Sequence, residues 1–247
     1  MRILLVSDDG IDSAGLNVLA ESLSLKHEIF IIAPKNKRSC ASQSISLGEI
    51  SYETQNPGKF KLKVAISGSP ADAVKLAVLY FMKDNLPDAI ICGINDASNL
   101  GAEIMYSGTV GAAFEGAYLG LPAVAVSMAD KNFTEGFYLA AKFIQEYLDK
   151  LRLNNLPKNS VLNINHPACP SKGVKFCKTY VHYYTDHYVS LGKNKLKLEG
   201  NPIFDIHPDS DVMLCNSGYI TLSLLSLNRN DDIFFEKYKE LVGDILD

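Results

Sequence analysis

Two adjacent carboxylates and two further oxygen-bearing side chains follow short apolar runs, at positions where they could bind a metal ion together. Asp8 and Asp9 come directly after the apolar run 3–6, and Asn95 closes a later run of the same kind. Ser39 lies in the polar loop that follows the second apolar run. Carboxylate, hydroxyl and amide oxygens, without a thiolate or an imidazole, are the ligands that Mg²⁺ or Mn²⁺ takes. These four residues are therefore predicted to bind one divalent cation per subunit.

A simpler interpretation of the first stretch is an ordinary turn. Asp9 and Gly10 are typical turn residues, and Asp12 or Ser13 could cap the helix that follows. On this stretch alone both interpretations stay open.

A second group of candidate residues is Ser107, Gly108 and Thr109, at the predicted start of a helix. Hydroxyls, a glycine and unpaired backbone N–H groups at the positive end of a helix dipole form a site for an anion such as phosphate. The alternative is a plain N-cap by Ser107 or Thr109, with Gly111 allowing the helix to pack closely. Together with the oxygen ligands, an anion site indicates metal-assisted hydrolysis of a phosphate ester.

The elements that position these residues alternate between strands and helices through the first two thirds of the chain. Their apolar runs lack polar alternation, which is typical of strands buried on both faces of a parallel sheet. The predicted fold is therefore a doubly wound, mostly parallel α/β sheet, with the candidate residues at the carboxyl ends of its strands. Strands are predicted at 3–6, 27–33, 61–66, 88–94, 122–128 and 161–165, and helices at 14–25, 70–82, 107–120 and 134–151.

Beyond residue 170 the pattern changes to strands alone. Antiparallel strands are predicted at 174–184, 188–198 and 218–227, outside the doubly wound core, with a hairpin turn at 192–194. The segment 231–246 has the spacing of an amphipathic helix, whose apolar side must pack on its own domain or on another subunit. We expect a single domain over 1–247, divided into a core (1–168), a hairpin excursion (169–228) and a terminal helix (229–247).

Composition excludes several classes of protein. A net charge of −4 and an isoelectric point near 5.8 do not favour stable binding to nucleic acid. The five cysteines are scattered and contain no C-x-x-C pair, which favours free thiols in a reducing compartment. No apolar run approaches the ~20 residues needed to cross a bilayer. We therefore expect a cytoplasmic protein without membrane association.

Other cofactor patterns are missing from the sequence. There is no cysteine and histidine cluster for zinc, and no G-x-G-x-x-G follows the first strand. His166 stands at the end of a predicted strand and is either structural or catalytic.

The chain resembles the SurE survival-protein family over nearly its whole length. The resemblance rests on the Asp8-Asp9 block and on five further segments. The matching segments are 3–11, 33–34 with 38–39, 68–72, 87–95, 106–113 and 163–167. Two positions depart from the usual family pattern, since Ser7 stands in place of Asn and Asp96-Ala97 stands where a glycine is usual.

The resemblance implies a metal-dependent phosphatase acting on nucleoside 5′- and 3′-monophosphates, and in some cases on short polyphosphate. It places the metal ligands on Asp8, Asp9, Ser39 and Asn95, the phosphate contacts on Ser107, Gly108 and Thr109, and catalysis on the two aspartates. It also implies a homodimer or homotetramer. Two alternatives stay open: a nucleotide-binding regulatory protein without turnover, and a metal-dependent carbohydrate esterase.

Overall fold

The computed structural model describes residues 1–130, 132–133, 135–203, 207–228 and residue 235. Thirteen strands occur in these ranges. In chain order they are β1 (Arg2–Val6), β2 (Glu28–Pro34), β3 (Tyr52–Thr54), β4 (Leu62–Ile66), β5 (Ala89–Asn95), β6 (Ala123–Met128), β7 (Ser160–His166), β8 (Val174–Phe176), β9 (Tyr183–Tyr184), β10 (His187–Gly192), β11 (Lys195–Glu199), β12 (Pro202–Ile203) and β13 (Ile220–Ser226). Nine of them form one sheet in the order β3-β4-β2-β1-β5-β6-β7-β13-β8.

Helices cover both faces of this sheet. They are α1 (Ala14–Leu23), α2 (Pro70–Leu76), α3 (Gly108–Tyr118), α4 (Gly136–Tyr147) and α5 (Asp211–Asn216), with a π-helical turn at Ala77–Phe81 and 3₁₀ turns at Gly101–Met105 and Leu153–Asn155. Ile3 and Leu5 pack with α1 and α4 on one face, whereas Leu4 and Val6 pack with α2 and α3 on the other. Because successive side chains of a strand point to opposite faces, this two-sided burial explains the uninterrupted apolar run.

Strand order creates a crevice above β1 and β5. The chain leaves β1 through α1 to β2 on one side, and later returns through α2 to β5 on the other side. Both neighbours are parallel to β1. In open α/β sheets the ligand crevice lies at such a switch point, outside the carboxyl ends of the strands. The predicted doubly wound fold is confirmed.

One part of the sequence interpretation was wrong. The strand predicted at 218–227 forms as β13, but it pairs antiparallel with β7 inside the main sheet instead of lying outside the core. Its burial explains this position, because Ile220, Thr221, Ser223 and Leu225 are all buried. β8 then pairs with β13 in parallel, at the sheet edge. The strand predicted at 174–184 is present only as β8 and β9.

The hairpin is confirmed as β10 and β11. Lys193 and Asn194 both have positive φ, 47° and 59°, as a type I′ turn requires. The edge strand β3 and the short helix α5 were not predicted. The terminal helix expected at 231–246 lies outside the described residues apart from Phe235, and the division of the chain at 168 and 228 stays a prediction.

Candidate active site

The crevice at the switch point is a cavity of about 900 Å³. Four of the predicted residues line it: Asp8, which follows β1, Asn95 at the end of β5, Ser39 in the loop after β2, and Ser107 before α3. Asp9, Gly108 and Thr109 do not line it, but they contact the groups that do. The structure thus brings the predicted residues together from four separate segments of the chain.

Asp8 is buried, with 4% of its surface exposed. Its Oδ1 accepts a hydrogen bond from the hydroxyl of Thr109, and its backbone carbonyl accepts one from the N–H of Arg38 at 2.6 Å. Burial raises the pKa of Asp8 to about 6; the Thr109 hydrogen bond opposes this rise and the neighbouring Asp9 adds to it. The negative charge of the Asp8 carboxylate is therefore poorly balanced by the groups around it.

Asp9 is turned away from the cavity toward Lys37. Lys37 Nζ lies 2.5 Å from its buried Oδ1 as an ion pair. Its Oδ2 accepts the backbone N–H of Asp96 at 3.1 Å. Lys37 also pairs with the Asp96 carboxylate at 2.8 Å. The unusual Asp96 therefore binds the same lysine as the predicted metal ligand Asp9.

Lys37 was missed from the sequence, where it is one of several dispersed lysines. Burial alone would lower its pKa, but the two ion pairs outweigh burial and hold the pKa above its ordinary value. Lys37 is therefore a fixed positive charge beside Asp9. The Lys37 and Asp96 pairing carries no local sequence signal, because the two residues belong to different loops.

The loop that carries Ser39 is fixed against α3 and the turn before it. The Ser42 N–H donates to the Tyr106 carbonyl at 3.0 Å, and the Ser42 hydroxyl donates to the Met105 carbonyl at 2.8 Å. A Cβ on Gly111 would lie 2.1 Å from the Ser42 carbonyl oxygen. Only glycine at this position lets the loop approach the helix so closely.

Asn95 is held in a single orientation by its own loop. Its Nδ2 donates to the Ala97 carbonyl at 2.6 Å, which directs the amide oxygen away from that contact. The loop beyond it is anchored at Asn99, whose N–H donates to Asn165 Oδ1 at 2.8 Å and whose carbonyl accepts from Asn163 Nδ2 at 2.9 Å. The two buried asparagines of the 163–167 segment therefore support the loop that follows Asn95.

The start of α3 lies directly against Asp8. Ser107 is the N-cap, because its hydroxyl accepts the N–H of Val110 at 3.1 Å, so the capping interpretation holds for this residue. A Cβ on Gly108 would lie 2.9 Å from Asp8 Cβ and 3.0 Å from Asp8 Oδ2. Thr109 is fully buried, and its hydroxyl is engaged with Asp8.

His166 does not belong to the cavity. It is buried, its Nδ1 lies 2.9 Å from the Pro167 carbonyl oxygen, and burial lowers its pKa. These features are those of a structural histidine.

Fold and site together define a doubly wound α/β protein with an oxygen-rich, acidic site at its switch point. A sequence model of the family described as survival protein SurE matches residues 3–186. The protein named 5′-nucleotidase SurE from Clostridium botulinum (strain ATCC 19397 / Type A) is 38% identical, covering 98% of this chain and 99% of that protein. The one from Petrotoga mobilis is 37% identical, covering 97% and 98%.

A solved structure agrees with these sequence matches. The crystal structure of the SurE protein from Aquifex aeolicus superposes with a TM-score of 0.83 at 28% identity, covering 98% of this chain and 99% of that one. The chain belongs to the SurE family. Membership of this family implies a divalent metal cofactor.

The residues present fit such a cation. Burial is the main cause of the raised pKa of Asp8 and the charge of Asp9 adds to it, so a cation would stabilise the charged form of this carboxylate. Ser39 and Asn95 line the same cavity as Asp8, and Asp9 follows Asp8 in the chain, so carboxylate, hydroxyl and amide oxygens are available for a hard divalent ion. Within the described ranges no group of three or more histidine, cysteine, aspartate or glutamate residues could hold a metal.

Also within the described residues, no helix has both the length and the apolar composition to cross a membrane.

Proposed function

We propose that this protein hydrolyses nucleoside 5′- and 3′-monophosphates to nucleoside and phosphate with a divalent metal cofactor. The observation that carries the proposal is the contact between Asp8 and the start of α3, at the wall of a cavity that can hold a nucleotide. Carboxylates for a cation and N–H groups for a phosphate then lie at the same point. The name 5′-nucleotidase of the relatives supports the same reaction. Hydrolysis of short polyphosphate stays a prediction of the family resemblance.

Asp8, Asp9, Ser39 and Asn95 would hold one Mg²⁺ or Mn²⁺ per subunit. When bound, the cation supplies positive charge for the phosphate oxygens and lowers the pKa of a water molecule at the site.

The protein's own groups have separate tasks. Asp8 faces the cavity, so it is better placed than Asp9 to orient the attacking water and accept its proton. Thr109 fixes the Asp8 carboxylate, and Lys37 fixes Asp9. The N–H groups at the start of α3, at Gly108 and Thr109, would bind the phosphate, with Ser107 beside them at the cavity wall. Thr109 would therefore have two tasks: its backbone N–H would bind the phosphate, and its hydroxyl fixes the Asp8 carboxylate.

Assembly and location belong to the same proposal. We expect a homodimer or homotetramer, because Tyr188, Leu196 and Leu198 of the β10-β11 hairpin are more than half exposed. A reducing compartment such as the cytoplasm is supported by the five cysteines, which are all free thiols.

A phosphate-release screen tests the reaction. Nucleoside 5′- and 3′-monophosphates of each base are incubated with the protein and Mn²⁺ or Mg²⁺, with Asp8→Asn as the matched variant. Phosphate released by the parent protein and lost in Asp8→Asn is the expected result. Tight nucleotide binding without phosphate release would favour a regulatory protein, and acetate release from acetylated sugars would favour an esterase.

A further inference from the structure

The loop that carries Ser39 is attached by hydrogen bonds on both sides of this residue. On one side, the Arg38 N–H donates to the Asp8 carbonyl at 2.6 Å. On the other side, Ser42 donates to two carbonyls of the turn before α3, with its N–H at 3.0 Å and its hydroxyl at 2.8 Å. Ser39 therefore lies in the short span 39–41 between two attachments.

The backbone of this span does not favour its own conformation. Cys40 and Ser42 both have positive φ, 57° and 49°. This left-handed region is unfavourable for residues other than glycine, so contacts from outside the loop must hold it. The position of the Ser39 hydroxyl therefore depends on the groups to which the loop is attached.

Gln43 attaches the same loop to α3 through a buried carboxylate. Its Nε2 donates to Glu115 Oε2 at 3.0 Å. Glu115 lies in α3, and only 3% of its surface is exposed. A hydrogen bond to a carboxylate is about twice as strong as one between neutral groups. Gln43 therefore makes a strong and specific contact between the Ser39 loop and this helix.

Lys75 of α2 balances the charge of Glu115. Its Nζ lies 2.7 Å from Glu115 Oε1, so each oxygen of the carboxylate faces a different partner. A buried carboxylate needs an opposite charge, because an unpaired charge in the interior is strongly destabilising. The Lys75 ion pair therefore keeps Glu115 in place as the acceptor for Gln43.

Helix α3 thus supports two predicted metal ligands at once. At its start, the Thr109 hydroxyl donates to Asp8 Oδ1, and further along the helix Glu115 holds Gln43. Asp8 follows β1, whereas Ser39 follows β2. Because both are tied to one helix, a shift of the loop relative to α3 would move Ser39 relative to Asp8.

We propose that Gln43, with Glu115 as its acceptor, is a positioning residue that sets the place of Ser39 relative to Asp8 and thereby the affinity for the divalent cation. Gln43 does not line the 900 Å³ cavity, so it acts through the loop backbone. This inference rests on the proposed function, in which Ser39 is a metal ligand. Partners that orient metal ligands contribute about 10- to 100-fold in metal affinity, and we expect about 10-fold for a partner that acts through the backbone.

The test is a titration of metal-free protein with Mn²⁺, in which the Mn²⁺ that remains free is measured. The variants are Gln43→Leu, which removes the donor, and Gln43→Glu, which keeps the size of the side chain and places a second carboxylate against Glu115. Gln145→Leu is the matched control. Gln145 is also half-buried, and its Nε2 donates to the Ser22 carbonyl at 3.2 Å, between α4 and α1.

We expect the dissociation constant for Mn²⁺ to rise by about 10-fold in Gln43→Leu, to rise further in Gln43→Glu, and to stay constant in Gln145→Leu. Thermal unfolding without metal shows whether each variant is folded, and Gln43→Glu gives the same comparison if Gln43→Leu does not fold. Parent affinity in a folded Gln43 variant, or an equal loss in Gln145→Leu, would overturn the inference.

A double-mutant cycle with Ser39→Ala separates positioning of Ser39 from a general loss of stability. If Gln43 acts through the Ser39 hydroxyl, Gln43→Leu should weaken Mn²⁺ binding by less than about 2-fold in the Ser39→Ala protein. The full loss in that protein would overturn the inference, because Gln43 would then act through another group. If Ser39→Ala alone binds Mn²⁺ as tightly as the parent protein, Ser39 is not a ligand; this result would overturn the proposed metal site, and the inference with it.

Discussion

The hydroxyl of Thr109 donates a hydrogen bond to Oδ1 of Asp8, 101 residues away in the chain. This bond joins the first turn of α3 to the end of β1. It orients a buried carboxylate that has an acidic neighbour and leaves Oδ2 beside Gly108. The start of α3 therefore supports the carboxylate opposite, and it is also the surface proposed to bind the phosphate.

Replacing Thr109 by Val removes the hydroxyl and keeps the shape of the side chain. A hydrogen bond to a charged group contributes about 1.5–3 kcal/mol, so we expect kcat to fall by about 10- to 100-fold. Metal affinity, measured by titration, should fall with it because Asp8 loses its orientation. Thr109→Ser retains the donor and should restore most of both values. Parent activity in a folded Thr109→Val protein would show that the bond is not needed.

Lys37→Gln removes the positively charged side chain that lies between Asp9 and Asp96. Without metal, three neighbouring carboxylates then lose their compensating charge, and we expect the melting temperature to fall by about 2–4 °C. Added Mn²⁺ should raise the melting temperature more in Lys37→Gln than in the parent protein, because the metal replaces the missing charge. If Mn²⁺ raises the melting temperature equally in the two proteins, the metal ion binds away from Asp9.

Gly108→Ala introduces a Cβ against Asp8, at 2.9 Å from Asp8 Cβ. The carboxylate must shift, so we expect kcat/KM for AMP to fall by more than about 10-fold, since a displacement of about 1 Å can cost this much. Gly48→Ala is the control, because a Cβ there meets nothing within 4 Å. Thermal unfolding of both variants separates a local effect from a loss of the fold. If folded Gly108→Ala protein has the same kinetics as the parent protein, this turn has only a capping role.

Assembly is tested by light scattering at micromolar concentration. Tyr188 and Leu198 are cross-strand partners in the β10-β11 hairpin, and both are exposed, as is Leu196. We expect at least a dimer, and we expect Leu196→Asp to lower the assembly state because it charges this apolar surface. Lys197→Ala, in the same strand, is the matched control. A monodisperse monomer of the parent protein would contradict the prediction.

Strand-end residues could be placed from the sequence because their position follows from the sheet. Asp8 and Asn95 each end a buried apolar run, and the carboxyl ends of neighbouring parallel strands meet at one edge. Ser107 could be placed for a similar reason, since hydroxyls that start a helix are a local signal. The cavity that these residues line depends on the strand order, which the alternation of elements does not specify.

Contacts between loops could not be predicted. The pairing of Lys37 with Asp9 and Asp96 depends on the path of two irregular segments. Irregular segments have no periodic sequence pattern from which that path could be predicted. The Tyr184 and Glu103 hydrogen bond likewise joins the excursion to a 3₁₀ turn. The position of β13 was misjudged because an antiparallel strand of mixed polarity fits a hairpin outside the core as well as a place beside β7. Whether β13 lies outside the core or beside β7 depends on the strand with which it pairs, and its own sequence does not specify that strand.

The most direct test is phosphate release from AMP by protein that has been stripped of metal with a chelator and freed of the chelator. We predict no release above background from the stripped protein, and recovery of activity on addition of Mn²⁺ or Mg²⁺ at saturating concentration. Asp9→Asn, measured in parallel, should remain more than about 10-fold below the parent protein at the same metal concentration, because one charged ligand is lost. Full activity of the stripped protein, without added metal, would contradict a metal-dependent site at Asp8 and Asp9.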